Sequence, residues 1–170
     1  MVRNFMWVFW VISTIGLLIA LFGGYGSMSK NVYIEFADYL PVITRDTFFF
    51  SVVGLTSLSF LVLGWWYWIV PFTPSKYFLV PSKEFWFDHA AARRAFNRII
   101  QSWILSIACT VNYFIMISVM MVARANDLDG NLGYINANWW YYGLAILPLL
   151  FLPWFRLNIK KHNLLANEIK

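Results

Sequence analysis

Four stretches of this chain, residues 5–23, 48–70, 99–122 and 138–155, run for 18 to 24 residues without a single Asp, Glu, Lys, Arg or His. At ~1.5 Å of rise per residue, each makes a helix comparable in length to a hydrocarbon layer of about 30 Å, where a backbone must satisfy its own hydrogen bonds. Nothing else in the sequence constrains the fold as tightly. Composition agrees: 61% of residues are hydrophobic, 12% are charged and the mean hydropathy is +0.62, whereas soluble domains hold roughly 45–50% apolar and about 25% charged residues. The expectation is a single all-α membrane domain over residues 1–170, a bundle of four transmembrane helices.

Each run carries its own boundary signals. The first lies behind Val2, Arg3 and Asn4, a basic start that secretory signal peptides share, but it ends in Leu21, Phe22, Gly23 and Gly24 with no small-x-small cleavage site. We read it as a span ended by Gly23, Gly24 and Gly26. In the following loop Val32, Ile34 and Phe36 fall at alternate positions, the period of a half-buried strand, so a short extended segment is expected there. The second span closes with Trp65, Trp66, Tyr67 and Trp68, side chains that settle at a membrane interface, and Pro71 and Pro74 stop it. Ser82 and Asp88 are both competent N-caps, and Ala90, Ala91 and Ala92 favour one long helix from Asp88 into the third span. Residues 123–137 read as a polar turn. Trp139, Trp140 and Trp154 flank the fourth span, which Pro148 and Pro153 should kink.

Basic residues set the orientation. Arg3, Lys76, Lys83, Arg93, Arg94, Arg98, Arg156, Lys160, Lys161 and Lys170 lie in the N terminus, central loop and tail, leaving Lys30, Arg45 and Arg124 for the opposite side. By the positive-inside rule both termini and the central loop are cytoplasmic, and the loop with the extended segment is external.

What the spans lack narrows the chemistry. Ionisable residues inside a membrane are costly and mark ion or proton routes, and the four runs contain none. Their amides, Gln101 and Asn112, suit hydrogen bonds between helices. Ser102, Ser106 and Cys109 or Thr110 on the third helix, and Gly16 with Ala20 on the first, form small-residue stripes that allow close approach. His89 and His162 lie outside the spans, which disfavours axial haem ligation. Glu84, Asp88 and His89 could be grouped as a metal or acid–base site, but we take Asp88 as a helix cap. Cys109 stands alone, so no internal disulfide can form. No nucleophile–base pair, glycine-rich phosphate loop or metalloprotease motif is present. The expectation is a protein that is not an enzyme and takes no cofactor.

The basic loop and tail carry the candidate contacts. Lys83, Phe85, Trp86, Arg93, Arg94, Arg98, Lys160 and Lys161 combine cations with large aromatics, the chemistry that meets anionic lipid headgroups or the acidic face of another membrane subunit. A topology signal alone would use the same cations. Nucleic acid is not implied by the net charge of +5, because basic residues beside spans are attracted to the membrane surface.

The segment PSKEFWFDHAAARR, from Pro81 to Arg94, resembles the proline, lysine–acidic–aromatic and double-arginine pattern of small bacterial membrane proteins related to the SdpI immunity family. Residues 32–50 look like the strand-and-turn region of that domain, although Ile43 to Phe48 stand where the family has glycines and a tryptophan. The resemblance spans about residues 32–94. It implies a bacterial inner-membrane protein tied in some members to toxin immunity or signalling. From the residues themselves, the leading expectation is a non-catalytic accessory or assembly subunit of a larger membrane complex. An SdpI-like immunity or sensing protein is the alternative, and a small solute or lipid transporter is a third.

Overall fold

A computed structural model describes residues 2–33, 42–80, 82–127, 156–159 and 161. The predicted fourth span, Ile34 and Phe36 of the expected strand, and Lys160 lie outside the described residues. Three helices are long and apolar enough to cross a membrane: α1 (Val2–Ser27), α2 (Arg45–Ile69) and, after a short α3 (Lys83–Asp88), the 36-residue α4 (Ala90–Ala125). The chain is a helical membrane protein.

The long helix α4 is the axis. A third of its apolar window is buried (33%), against 17% in α1 and 11% in α2. Its partners fix the helix directions. Asn112 of α4 donates to Ser13 Oγ and Thr14 Oγ1 of α1, both at 3.1 Å, while further along both helices Gly24 faces Val119 and Ala123. Residue numbers rise together, so α1 and α4 are parallel. Gln101 and Arg93, by contrast, reach Tyr67 and Thr73 at the end of α2, which makes α2 antiparallel to both. Large apolar side chains on the outer faces of α1 and α2, Ile19, Phe22, Leu61 and Trp65 among them, are exposed, as a hydrocarbon surround requires.

The glycines expected to end α1 instead lie within it. In hydrocarbon a broken helix would leave backbone groups unsatisfied, so α1 continues to Ser27. Gly24 is the contact point: a Cβ there would lie 3.1 Å from Val119 Cγ1 and 3.3 Å from Met28 Cε, whereas one on Gly23 or Gly26 would meet nothing. Of these three glycines, Gly24 is the one that packing needs. The second span begins at Arg45, three residues earlier than read, because Thr44 caps it: Thr44 Oγ1 accepts from the Thr47 amide at 3.1 Å, and Asp46 sits in the positive first turn.

The end of the bundle opposite the basic loop carries a two-stranded antiparallel sheet, β1 (Asn31–Tyr33) against β2 (Val42–Thr44), with Val32 opposite Ile43. Val32 is fully buried beneath it, in a core with Leu17, Leu21, Met28, Ile115 and Val119. Asn126 holds the sheet to α4. Its Oδ1 accepts the Tyr33 amide at 2.7 Å and its Nδ2 donates to the Tyr33 carbonyl at 3.0 Å, so one side chain serves both groups of an edge residue as a third strand would. Asn126, read as part of a polar turn, is thus a buried anchor, and α4 itself extends to Ala125.

Two variants separate packing from propensity. Gly24→Leu should lower stability in mild detergent by about 1–3 kcal/mol through overpacking, while Gly23→Leu, facing open space, should leave the thermal midpoint unchanged or raise it. Equal losses at both positions would contradict the assigned contact.

Candidate functional site

The basic end of the bundle is built around two prolines. In a helix, the amide of residue i bonds the carbonyl of residue i−4, and proline has no amide to give. Pro71 therefore leaves the Tyr67 carbonyl without its donor, and Pro74 does the same to Val70. Both are answered from α4. Gln101 Nε2 donates to Tyr67 O at 3.2 Å, and Arg93 Nη2 approaches Val70 O at 3.4 Å, where the Thr73 amide also lies 3.4 Å away.

Arg93 does more than fill that place. Its Nη2 donates to Thr73 O at 2.7 Å and lies 3.4 Å from Pro71 O, so the cation sits at the negative end of α2 and of the 3-10 turn Val70–Phe72 that follows it. Three rings enclose the guanidinium: its carbon is 4.3 Å from the centre of Phe87, 5.4 Å from Phe78 and 5.8 Å from Phe96. No carboxylate takes part among the described residues. Nη1 has no hydrogen-bond partner there either, and the ring faces are what it meets.

The aromatics of α3 also face inward. Trp86 is 1% exposed and packs with Phe96, Ile100, Ile104 and Leu157. Phe85 is half-buried with the Lys161 ammonium 5.8 Å from its centre, and Lys161 Nζ donates to Ser82 Oγ at 2.6 Å, which ties the tail to the start of α3. Ser82, read as a helix cap, has left-handed backbone (φ 54°) and makes no capping bond, its hydroxyl being the acceptor for Lys161. Nor does one helix run on from Asp88. The chain turns extended at His89 (φ −117°, ψ 130°), ending α3 and restarting as α4 at Ala90, a break that swings Phe87 over Arg93.

Of the eight candidate contacts, the structure brings Phe85, Trp86 and Lys161 together and buries Trp86. Arg93 stands apart from them at the end of α2. Lys83 is partly exposed at the start of α3, and Arg94 and Arg98 are exposed, four residues apart and therefore on one face of α4. α4 begins well before the level of Val2, so Arg94 and Arg98 project beyond the start of α1. No hydrogen bond or ion pair holds either among the described residues. Glu84, Asp88 and His89 are exposed as well, and no group of three or more His, Cys, Asp or Glu among the described residues is placed to hold a metal ion.

No family model, curated protein or solved structure matches the chain.

Gln101 was legible as a helix-bridging amide, but its target was not. The signal was nevertheless in the sequence, since each proline after an apolar run orphans a carbonyl four residues back. Arg93 read as one member of a basic cluster. Only the fold distinguishes it from Arg94, its neighbour on the exposed side.

The two arginines should behave oppositely. Arg93→Lys keeps the charge but loses the planar fork and its ring contacts, and we expect a stability loss of about 2 kcal/mol, within the range for a hydrogen bond to a charged group. Arg94→Lys should change nothing. Thermal unfolding in detergent reads both, and an unaffected Arg93→Lys would mean that charge alone suffices.

Proposed function

We propose that this protein is a non-catalytic subunit of a larger membrane complex, acting in its assembly or as an accessory component, with the basic end in the cytoplasm of a bacterial inner membrane. The observation that carries the reading is the division of labour among the arginines. Arg93 is taken up by the fold, whereas Arg94 and Arg98 project beyond α1 as a cationic face that the described chain leaves unanswered. Such a face fits an acidic surface on a neighbouring subunit. The polar groups between the helices support the non-transporting part: Gln101 and two hydroxyls beside Asn112 are engaged in bonds between helices rather than lining a route.

A second reading, an SdpI-like immunity or sensing protein, draws on the β1–β2 hairpin held on the opposite end by Asn126. There a ligand from outside would meet the paired strands.

Purification from the native membrane through a tag on the tail, followed by native mass determination, decides between them. The expected result is companion proteins in fixed ratio, lost in the Arg94→Ala, Arg98→Ala double variant while its melting temperature stays that of the parent. A particle of 20.0 kDa, or a simple multiple, would overturn the subunit reading in favour of the second.

A further inference from the structure

We infer that the cleft between the end of α2 and α4 is a binding site for one anionic phospholipid of the leaflet at the basic end. The cleft has a volume of about 360 Å³ and is walled by Trp66, Val70, Phe78, Trp103, Ile104 and Leu157, within the roughly 300–1,000 Å³ of preformed small-molecule sites.

Its lining selects hydrocarbon. A buried water needs two to four polar partners. The Thr73 hydroxyl in the wall already donates to Ile69 O at 2.9 Å, and the Thr73 carbonyl is held by Arg93. With both polar groups of Thr73 engaged in this way and the rest of the inner wall apolar or aromatic, the space favours an acyl chain over solvent. The supply is adjacent: Phe72 and Leu79, 81% and 87% exposed, lie on the same 70–80 segment, and two interface-type residues flank the cleft, Trp66 near the end of α2 and Trp103 at the start of the apolar part of α4. The cleft therefore lies at the boundary of headgroups and chains.

Its rim selects charge. Tyr77 lines the cleft and is 67% exposed, and the Lys76 ammonium lies 5.0 Å from the centre of its ring. No ion pair neutralises Lys76 among the described residues. A phosphodiester whose chain occupies the cleft would meet this ammonium and the Tyr77 hydroxyl. The enclosed Arg93 contributes differently: by holding Thr73 it fixes the segment that forms the outer wall.

Native mass spectrometry of the full chain, released from nanodiscs of equimolar phosphatidylcholine and phosphatidylglycerol, tests the assignment. One retained phosphatidylglycerol per chain is expected. Lys76→Gln should reduce its preference over phosphatidylcholine about fivefold, the worth of one cation near an anionic surface. Val80→Trp, which fills the cleft from its loop wall, should abolish retention of either lipid. Both variants should keep the parental melting temperature in detergent, and if Val80→Trp misfolds, Leu79→Trp on the same segment replaces it. No lipid at fixed ratio, a preference unchanged in Lys76→Gln, or undiminished retention in the tryptophan variant would each overturn the site. So would a protein segment found in the cleft.

Discussion

The structure depends on what happens to two backbone carbonyls at the end of α2. Pro71 and Pro74 turn the chain out of its second span, as proline must, but each also removes the amide that would have satisfied Tyr67 or Val70. At the edge of a membrane an unsatisfied carbonyl is expensive, so the donor has to come from elsewhere. At Tyr67 it comes from Gln101 of α4, and at Val70 from Arg93 of α4 together with the Thr73 amide, Arg93 reaching Pro71 and Thr73 as well. The interruption that ends one helix is thus what binds it to another.

That arrangement accounts for the role of α4. At the basic end it supplies donors to α2; in the middle Asn112 bridges to the hydroxyls of Ser13 and Thr14; at the far end Asn126 takes both backbone groups of Tyr33. Apolar contact cannot discriminate strongly between helices and lipid tails, because both are equally oily. Polar groups spaced along one helix can, and Gly16 and Gly24 of α1 add close approach to Met116 and Val119 of α4. The outer faces of α1 and α2 are left apolar and available to lipid or to other chains.

The three described spans were legible because an uncharged run of twenty-odd residues has few alternatives. Their ends were less so. Gly23, Gly24 and Gly26 would end a helix in water, where freed backbone groups find solvent, and in hydrocarbon that option is absent. The division of one helix into α3 and α4 was hidden because Asp88 and the alanines satisfy local helix rules, while the turn at His89 is imposed by the packing of Phe87 on Arg93 and of Trp86 on Phe96. The candidate site was legible as a composition of cations and aromatics and not as an arrangement. Arg93 and Arg94 are indistinguishable by charge, and only the 100° step between neighbours on a helix turns one into the fold and leaves the other outside.

α4 supplies what the prolines remove, and a double-mutant cycle on Pro71 and Gln101 measures how much. Gln101→Leu alone should cost about 1 kcal/mol, the usual net worth of a hydrogen bond. In a Pro71→Ala background the restored amide of residue 71 serves the Tyr67 carbonyl, and the same substitution should then cost close to nothing. An equal cost in both backgrounds would show that Gln101 stabilises the bundle for some other reason, and the account of how α2 is joined to α4 would fail.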